Sequence, residues 1–166
     1  MSESEKGNSR ASLTLRPVRA DDEAFLYELY CSTRREELSA WALEDAQQES
    51  FLKLQFKART RHYEIAFAGA DDNIILCDES PIGRVLVFRS AIEIRLVDIE
   101  LLPEHRGRGI GSSSVRVLCE EARAAGKLVT LHVAKTNRAA RLYERLGFSI
   151  TSDTGADYKM EWRQDS

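Results

Sequence analysis

The stretch LLPEHRGRGIGSSSVRVL (residues 101–118) places three glycines within five positions, directly before a helical pattern. Glycine lacks a Cβ, so a ligand can approach the backbone of such a loop closely. A helix that begins there adds unpaired N–H groups and a partial positive charge. Arg106 and Arg108 add two more positive charges. The stretch therefore predicts an anion site at a helix N-terminus, most naturally for phosphate.

The elements on both sides of this loop are well defined. After it, small and apolar residues recur at alternating steps of four and three from Gly111 to Ala125, which is the stripe of an amphipathic helix, and Gly126 ends it. Before it, AIEIRLVDIELLP (91–103) is typical of a long strand. The apolar residues of this strand change phase between Leu96 and Val97, which predicts a β-bulge at that point.

The rest of the chain predicts one mixed α/β domain with the element order β-α-α-β-β-β-α-β-α-β-β. A helix is expected over residues 42–60, although Leu52, Leu54 and Phe56 also alternate as a strand would. A turn is expected at Asp78–Pro81. The other predicted elements are a first strand at 12–18, a helix around 25–30, a buried strand at 127–133, a short helix within 136–148 and a final hairpin.

Composition limits the class of protein. A length of 166 residues fits a single domain over residues 12–166, preceded by a polar and disordered tail at 1–11. The net charge of −3 argues against nucleic acid as a partner, and no apolar run is long enough for a membrane span. Three widely spaced cysteines predict reduced thiols and a cytoplasmic location. The three histidines lack metal-ligand spacing, so no metal is expected, and His132 is predicted to be a residue of the buried strand with a hydrogen-bond partner.

Two known phosphate loops fit the glycines poorly. A Walker loop requires a lysine after its last glycine, and Gly111 is followed by Ser112. A dinucleotide fingerprint has the spacing G-x-G-x-x-G with an acidic residue about twenty positions on, whereas this chain has G-x-G-x-G and Leu131. A plain basic surface turn is the remaining alternative, but it does not require three glycines.

The motif Arg106-x-x-Gly109-x-Gly111 resembles the Q/R-x-x-G-x-G/A signature of the GNAT superfamily of N-acetyltransferases. The segment NRAARLYERLGF (137–148) is similar to the family's asparagine loop, tyrosine-bearing helix and Gly-Phe strand entry. The resemblance is specific over about 90–163 and covers the first half only in element order. It implies an α/β (α+β) fold, with a mixed twisted sheet of about seven strands. The sheet would be splayed between its fourth and fifth strands and flanked by about four helices.

The resemblance implies acetyl-CoA as co-substrate. The loop amides would hold its pyrophosphate, and the end of the fourth strand would bond the pantetheine arm. Asn137 would also bond the arm, and Arg138 or Arg141 would reach the 3′-phosphate. The implied donor-binding residues are Leu101, Leu102, Arg106, Gly107, Arg108, Gly109, Ile110, Gly111, Ser112, Asn137 and Arg138.

The implied reaction is acyltransferase chemistry, in which a primary amine attacks the thioester directly. Tyr143 matches the general acid of the family, although on spacing alone it would be a core aromatic. A carboxylate of the fourth strand would accept the amine proton. Glu100 is the predicted base because it lies nearer the site, and Asp98 is the alternative; both also fit a solvated strand face.

The acceptor would be a small-molecule amine or a protein N-terminus, bound by residues 25–60 and 150–158 in this type of fold. Trp41 is expected to be exposed in that region.

The resemblance leaves two rival functions open, an acyl-CoA sensor with little turnover and a structural protein with a degenerate site. Members of the family often form a homodimer through their C-terminal strands, and this is a further expectation.

Overall fold

The computed structural model describes residues 11–164, apart from the side chain of Glu36. The strands in this range are β1 (Leu13–Pro17), β2 (Asp71–Cys77), β3 (Ser80–Arg89), β4 (Glu93–Leu101), β5 (Leu128–Ala134), β6 (Ser149–Asp153) and β7 (Asp157–Trp162). The helices are α1 (Glu23–Ser39), α2 (Asp45–Ala66), α3 (Ile110–Ala125) and α4 (Ala139–Arg145), with short 3-10 turns at Ala20–Asp22 and Pro103–His105. The predicted element order is therefore confirmed. Residues 1–10 of the predicted tail lie outside the described residues.

Two predicted boundaries differ from the structure. The helix expected over 42–60 runs from Asp45 to Ala66, because its helix-forming composition continues past residue 60. The turn expected at Asp78–Pro81 consists of Asp78 and Glu79 alone, both with positive φ (47° and 69°). Such a two-residue turn matches the twist of a hairpin, and it leaves Pro81 inside β3.

The seven strands form one mixed sheet in the order β1-β2-β3-β4-β5-β7-β6. β4 and β5 pair in parallel, and every other neighbouring pair is antiparallel. A parallel pair requires a crossover, which α3 provides between the two strands. The fold class predicted from the sequence is thus confirmed, including the mixed sheet and its four α-helices among the described residues.

The predicted bulge in β4 lies at the expected place. Leu86 of β3 pairs with Asp98, and the next residue, Val87, pairs with Leu96. Val97 is therefore the extra residue. Because of it, Leu96 and Ile99 both pack against the same apolar cluster, although they are three positions apart.

Helices cover both faces of the sheet. The larger cluster joins the sheet to α3 and α4 and includes the fully buried Val115, Val129 and Met160. The smaller cluster joins α1 to α2 through Tyr30, Cys31, Leu38, Leu52 and Phe56. β4 lies between these two helical layers, so its alternating side chains face different environments.

Two further observations concern the expectations drawn from composition. Cys31, Cys77 and Cys119 are all free thiols. None of the helices described between residues 11 and 164 is both long enough and apolar enough to cross a bilayer.

Candidate active site

β4 and β5 pair over only half of β4. The registered pairs run from Glu93 with Leu128 to Leu96 with Leu131, and pairing stops there. On its other side, β4 remains paired with β3 as far as Leu101. The bulge at Val97 thus marks the point where the sheet opens. Residues 97–101 have a free edge on the β5 side, as expected for a splayed pair of strands.

The opening contains a cavity of about 110 Å³. The residues that line it come from the open half of β4, from β5 and from α4: Leu96, Val97, Asp98, Ile99, His132, Val133, Ala134, Asn137 and Tyr143. Two of these, Asn137 and Tyr143, are sequence-predicted site residues. The fold therefore places Asn137 and Tyr143 in one cleft, and the glycine loop is not part of its lining.

Backbone groups of β4 face this cleft. The amide of Leu102 donates to the carbonyl of Ile82 in β3 (2.8 Å). Since successive residues of a strand point their N–H and C=O groups to opposite sides, those of Leu101 and Ile99 point toward the gap. The Leu101 carbonyl indeed accepts a bond from Arg106 Nε there (2.9 Å). Leu101 and Leu102 were both predicted to bind the donor. The backbone of Leu101 therefore faces the cleft, whereas the amide of Leu102 is hydrogen-bonded to β3.

The glycine loop lies beyond the end of β4, where α3 begins. Gly107 and Gly109 have φ values of 71° and 80°, which other residues adopt only at a cost. A Cβ built on Gly107, Gly109 or Gly111 would meet no heavy atom within 4 Å, so the backbone there faces open space. This observation fits a loop that receives a ligand.

The start of α3 lacks an internal cap. Its N-cap residue is Gly109, which has no side chain to accept a bond, and Ser113 is the residue whose amide bonds back to Gly109 (2.9 Å). The amides of Ile110, Gly111 and Ser112 precede that bond and have no acceptor within the helix. These three N–H groups and the helix dipole are suited to binding an anion, and Arg108, directly before the helix, is exposed.

Asn137 and Arg138 lie at the start of α4. The Asn137 Oδ1 accepts a hydrogen bond from the amide of Ala139 (2.9 Å), so this side chain caps the helix while it lines the cleft. Arg138 is exposed. The Asn137 position is thus fixed by the turn that joins β5 to α4, as required for a residue that positions a ligand.

Tyr143 projects from α4 into the cleft. Its side chain is 6% exposed and packs against Phe148, with ring centroids 5.8 Å apart. Burial raises the pKa of Tyr143 to about 12, and the negative charge of Asp98 acts in the same direction. The phenol therefore keeps its proton at neutral pH and can donate it.

Asp98 and Glu100 lie on the opposite face of β4 from Ile99 and both meet Arg59 of α2. Arg59 Nη1 and Nη2 donate to the two oxygens of Glu100 (2.7 and 3.1 Å), and Nη1 also donates to Asp98 (3.3 Å). Burial and the charge of Glu100 raise the pKa of Asp98 to about 6, against the effect of Arg59 and Arg84. Asp98 alone of the two carboxylates lines the cleft.

His132 lies in β5 and has a hydrogen-bond partner, as predicted. Its strand is buried, but the His132 side chain is exposed and lines the cleft, where Nδ1 lies 3.4 Å from the Arg95 guanidinium. Burial, followed by the charge of Arg95, lowers the pKa of His132. Alternation along KLVTLHV would have separated His132 from Val133, whereas the nearly continuous apolar run suggested that both faces were buried.

Sequence reasoning also missed Arg59 and Tyr63. Both lie on α2 and act on β4 across more than thirty residues of chain, and Tyr63 contributes a hydrogen bond that lowers the pKa of Asp98. The two residues are one helical turn apart and hence share a face. That spacing was visible in the sequence, but it does not indicate which strand the face covers.

The sequence pattern of the acetyltransferase (GNAT) family matches residues 23–148, which is most of the chain. The chain belongs to the GNAT acetyltransferase family. Members of this family are acyltransferases that use acetyl-CoA as donor, so the predicted family and co-substrate are confirmed. No curated protein sequence matches the chain.

Several solved GNAT-type structures share this fold. The PaiA N-acetyltransferase of Thermoplasma acidophilum, solved with coenzyme A, is 18% identical with a TM-score of 0.69, over 92% of this chain and 99% of that one. An acetyltransferase from Thermus thermophilus is 19% identical with a TM-score of 0.64, over 92% and 97%. A chimera of the spermidine N-acetyltransferase SpeG from Vibrio cholerae and hSSAT is 21% identical with a TM-score of 0.60, over 92% and 95%. At these identities the likeness shows the fold alone.

Within residues 11–164, no three or more His, Cys, Asp or Glu side chains are grouped in a way that would hold a metal ion.

Proposed function

We propose that this protein is an N-acetyltransferase that moves the acetyl group of acetyl-CoA to a primary amine by direct attack. The observation that carries the proposal is the cleft between β4 and β5, with Asp98 and Tyr143 on its walls. One structural neighbour, PaiA, was solved with coenzyme A, which supports the same donor here.

The donor would bind along the open half of β4. The amides at the start of α3, with Arg106, Gly107, Arg108, Gly109 and Ser112 around them, would hold the pyrophosphate. The backbone of Ile99 and Leu101 would pair with the amide groups of the pantetheine arm, as a strand edge pairs with a peptide. Asn137 and Arg138 would complete the site from the α4 side.

Tyr143 is the proposed general acid. The amine nitrogen forms a bond to the thioester carbonyl carbon, the C–S bond breaks, and the sulfur leaves with the electron pair. The phenol gives its proton to that sulfur, and the phenolate regains a proton from the new amide nitrogen or from solvent. A phenol held in its protonated form is suited to this step.

The base must take one proton from an ammonium before attack. Glu100 remains the residue that the sequence predicted for this role, but its two oxygens are both bonded to Arg59. Asp98 lines the cleft and its pKa is about 6, so it is ionised at neutral pH and still accepts protons readily. These surroundings favour Asp98, the alternative that the sequence left open.

The acceptor class is a small-molecule amine or a protein N-terminus. One structural neighbour is named as a spermidine N-acetyltransferase, which supports a cationic amine. Trp41 lies between α1 and α2, is 53% exposed as expected, and stacks near Phe51 (5.7 Å). The Trp41 ring would contact an acceptor that enters beside the loop between α1 and α2.

A homodimer is proposed on the exposed edge of the sheet. β6 is the last strand, all five of its residues are exposed, and Ile150 presents an apolar side chain. Light scattering after gel filtration would measure the mass of the particle, and a monomeric mass would reject this proposal.

An amine panel tests the proposed function. The purified protein is incubated with acetyl-CoA and each of spermidine, lysine, kanamycin and a short peptide with a free N-terminus, and thiol release and an acetyl mass increment are recorded. We expect both signals with at least one amine and neither in Gly109→Glu. Coenzyme A binding without acceptor-dependent release would favour the sensor, and the absence of both would favour a degenerate site.

A further inference from the structure

Arg59 occupies a buried position over β4. Its side chain and those of Glu100 and Asp98 are only 13%, 10% and 17% exposed. Two bonds join its guanidinium to Glu100, at 2.7 and 3.1 Å, and one longer bond of 3.3 Å reaches Asp98. Arg59 therefore binds Glu100 more tightly than it binds Asp98.

Aromatic rings fix this arginine in place. The Arg59 Cζ lies 4.5 Å from the centroid of the Tyr30 ring and 5.7 Å from that of Tyr63. Tyr30 is itself buried in the contact between α1 and α2. A planar guanidinium stacked in this way presents its N–H groups in one fixed direction, which a lysine would not do.

The ion pairs around Asp98 leave one charge uncompensated. Arg84 is buried beside this group and bonds both oxygens of Asp72, each at 2.7 Å. With Arg59, Asp98 and Glu100 the cluster contains three carboxylates and two guanidinium groups, so it has one net negative charge when all are ionised. Asp98 accepts the longest of these bonds (3.3 Å), and it is also the carboxylate residue of the three that lines the cleft.

We propose that Arg59 is a positioning residue that gives the two β4 carboxylates different roles. It holds Glu100 as a fixed counter-ion and leaves Asp98 to attract an ammonium acceptor and receive its proton. In this step an N–H bond of the ammonium breaks, the proton passes to an Asp98 oxygen, and the nitrogen keeps the electron pair with which it attacks. Asp98 later returns the proton to solvent. The inference rests on the proposed function and specifies the substrate as a cationic amine.

Several groups besides Arg59 face Asp98. Tyr63 lies on α2 with Arg59, Arg84 comes from β3, Glu100 from β4 and Tyr143 from α4, and His132 of β5 lines the same cleft. Glu100 repels a charge on Asp98 and so strengthens it as a base, whereas the two arginines limit that effect. Removal of Arg59 must therefore move the titration of Asp98 to higher pH, and removal of Glu100 must move it to lower pH.

The test follows the titration of Asp98 itself, so that it does not depend on turnover. Carboxyl carbon-13 resonances are recorded against pH in the wild-type protein, Arg59→Gln, Arg59→Lys and Glu100→Gln, with Asp98→Asn to assign the signal. We expect a wild-type midpoint near pH 6, and a rise of about one pH unit in Arg59→Gln. Arg59→Lys should recover part of this shift, because it keeps the charge and loses the two-pronged geometry. Glu100→Gln should lower the midpoint.

Arg34→Gln is the matched control. Arg34 also lies over the Tyr30 ring, at 5.2 Å, but its ion pair is with Glu37 of its own helix. Its loss should leave the Asp98 midpoint unchanged. The same midpoint should appear as the acidic limb of kcat/KM with the fastest amine of the panel, and should move in the same direction in each variant.

An Asp98 midpoint that is equal in the wild-type protein, Arg59→Gln and Glu100→Gln would overturn the inference. So would an acidic limb that survives in Asp98→Asn and disappears in Glu100→Gln. If Arg59→Gln does not fold, Glu100→Gln tests the same coupling from the other side. Failure of the proposed function gives a different result, since no amine would then be acetylated whatever the titration shows.

Discussion

The two halves of β4 have the same secondary structure and different surroundings. Residues 94–96 are paired on both sides, with β3 and with β5, and Ile94 and Leu96 are fully buried. Residues 98–101 are paired only with β3, and these four residues and Val97 are all partly exposed. One extra residue, Val97, separates the halves. The first half thus builds the core, and the second offers backbone groups and carboxylates to a cleft.

The largest expected effect is on kcat and concerns Tyr143, the proposed general acid beside the open half of β4. Tyr143→Phe removes one hydroxyl from the wall of the cleft and should lower kcat by about 10²–10⁴-fold. The ring still packs on Phe148, so the thermal midpoint and the affinity for coenzyme A should change little. Steady-state thiol release measures the effect. Tyr158→Phe, which alters another tyrosine packed on the same core cluster, is the control and should keep its activity.

The paired half should dominate stability. Ile94→Ala removes a side chain that is 1% exposed and should cost about 2–5 kcal/mol in the free energy of unfolding. Ile99→Ala, beyond the bulge, removes a side chain that is only partly buried and should cost clearly less. Urea unfolding of both variants makes the comparison. Equal losses would mean that the two halves of β4 do not differ in packing.

The glycine loop should matter for the donor and little for the fold. Gly109→Glu puts a negative charge where the diphosphate is expected and should weaken coenzyme A binding by about 100-fold or more, measured by calorimetry. Gly69→Glu is the matched control, because Gly69 has φ +81° against +80° and is equally unobstructed. Both variants carry the same backbone strain. A similar loss of coenzyme A affinity in both would mean that the glycine loop is not part of the donor site.

Asp98 should reduce stability at neutral pH. Its pKa rises from 3.8 unfolded to about 6 folded, so the folded state favours the protonated form. The favourable contribution of that proton is present below pH 4 and is lost as the pH rises through 6. Asp98→Asn should therefore raise the free energy of unfolding by about 3 kcal/mol at pH 8, and most of this gain should disappear near pH 4. Thermal unfolding at the two pH values checks the sign, and a gain that is larger at pH 4 would contradict it.

The sequence predicts the open half of β4 better than its surroundings. The phase change at Val97 is a local pattern with one physical cause, and the structure has the bulge there. The glycine loop is equally local, because each of its properties belongs to the backbone of Gly107 to Gly111. Tyr143 and Asn137 were found through a family resemblance that fixes their spacing to the loop.

The partners of the β4 carboxylates could not be predicted in this way. Arg59 bonds Glu100 across 41 residues of chain. No feature of the α2 sequence distinguishes Arg59 from the other arginine of that helix. Arg59 bonds both oxygens of Glu100 and one oxygen of Asp98, and the local sequence of β4 does not determine this difference. The sequence therefore identified the pair Asp98 and Glu100, and the structure shows which one lines the cleft.

Amide hydrogen exchange with and without coenzyme A tests the central claim most directly, because it examines both halves of β4 in one experiment. We predict that saturating coenzyme A slows exchange in residues 97–101 and 107–112 and leaves residues 93–96 unchanged. Coenzyme A binding that leaves both of the first two segments unprotected would contradict the account.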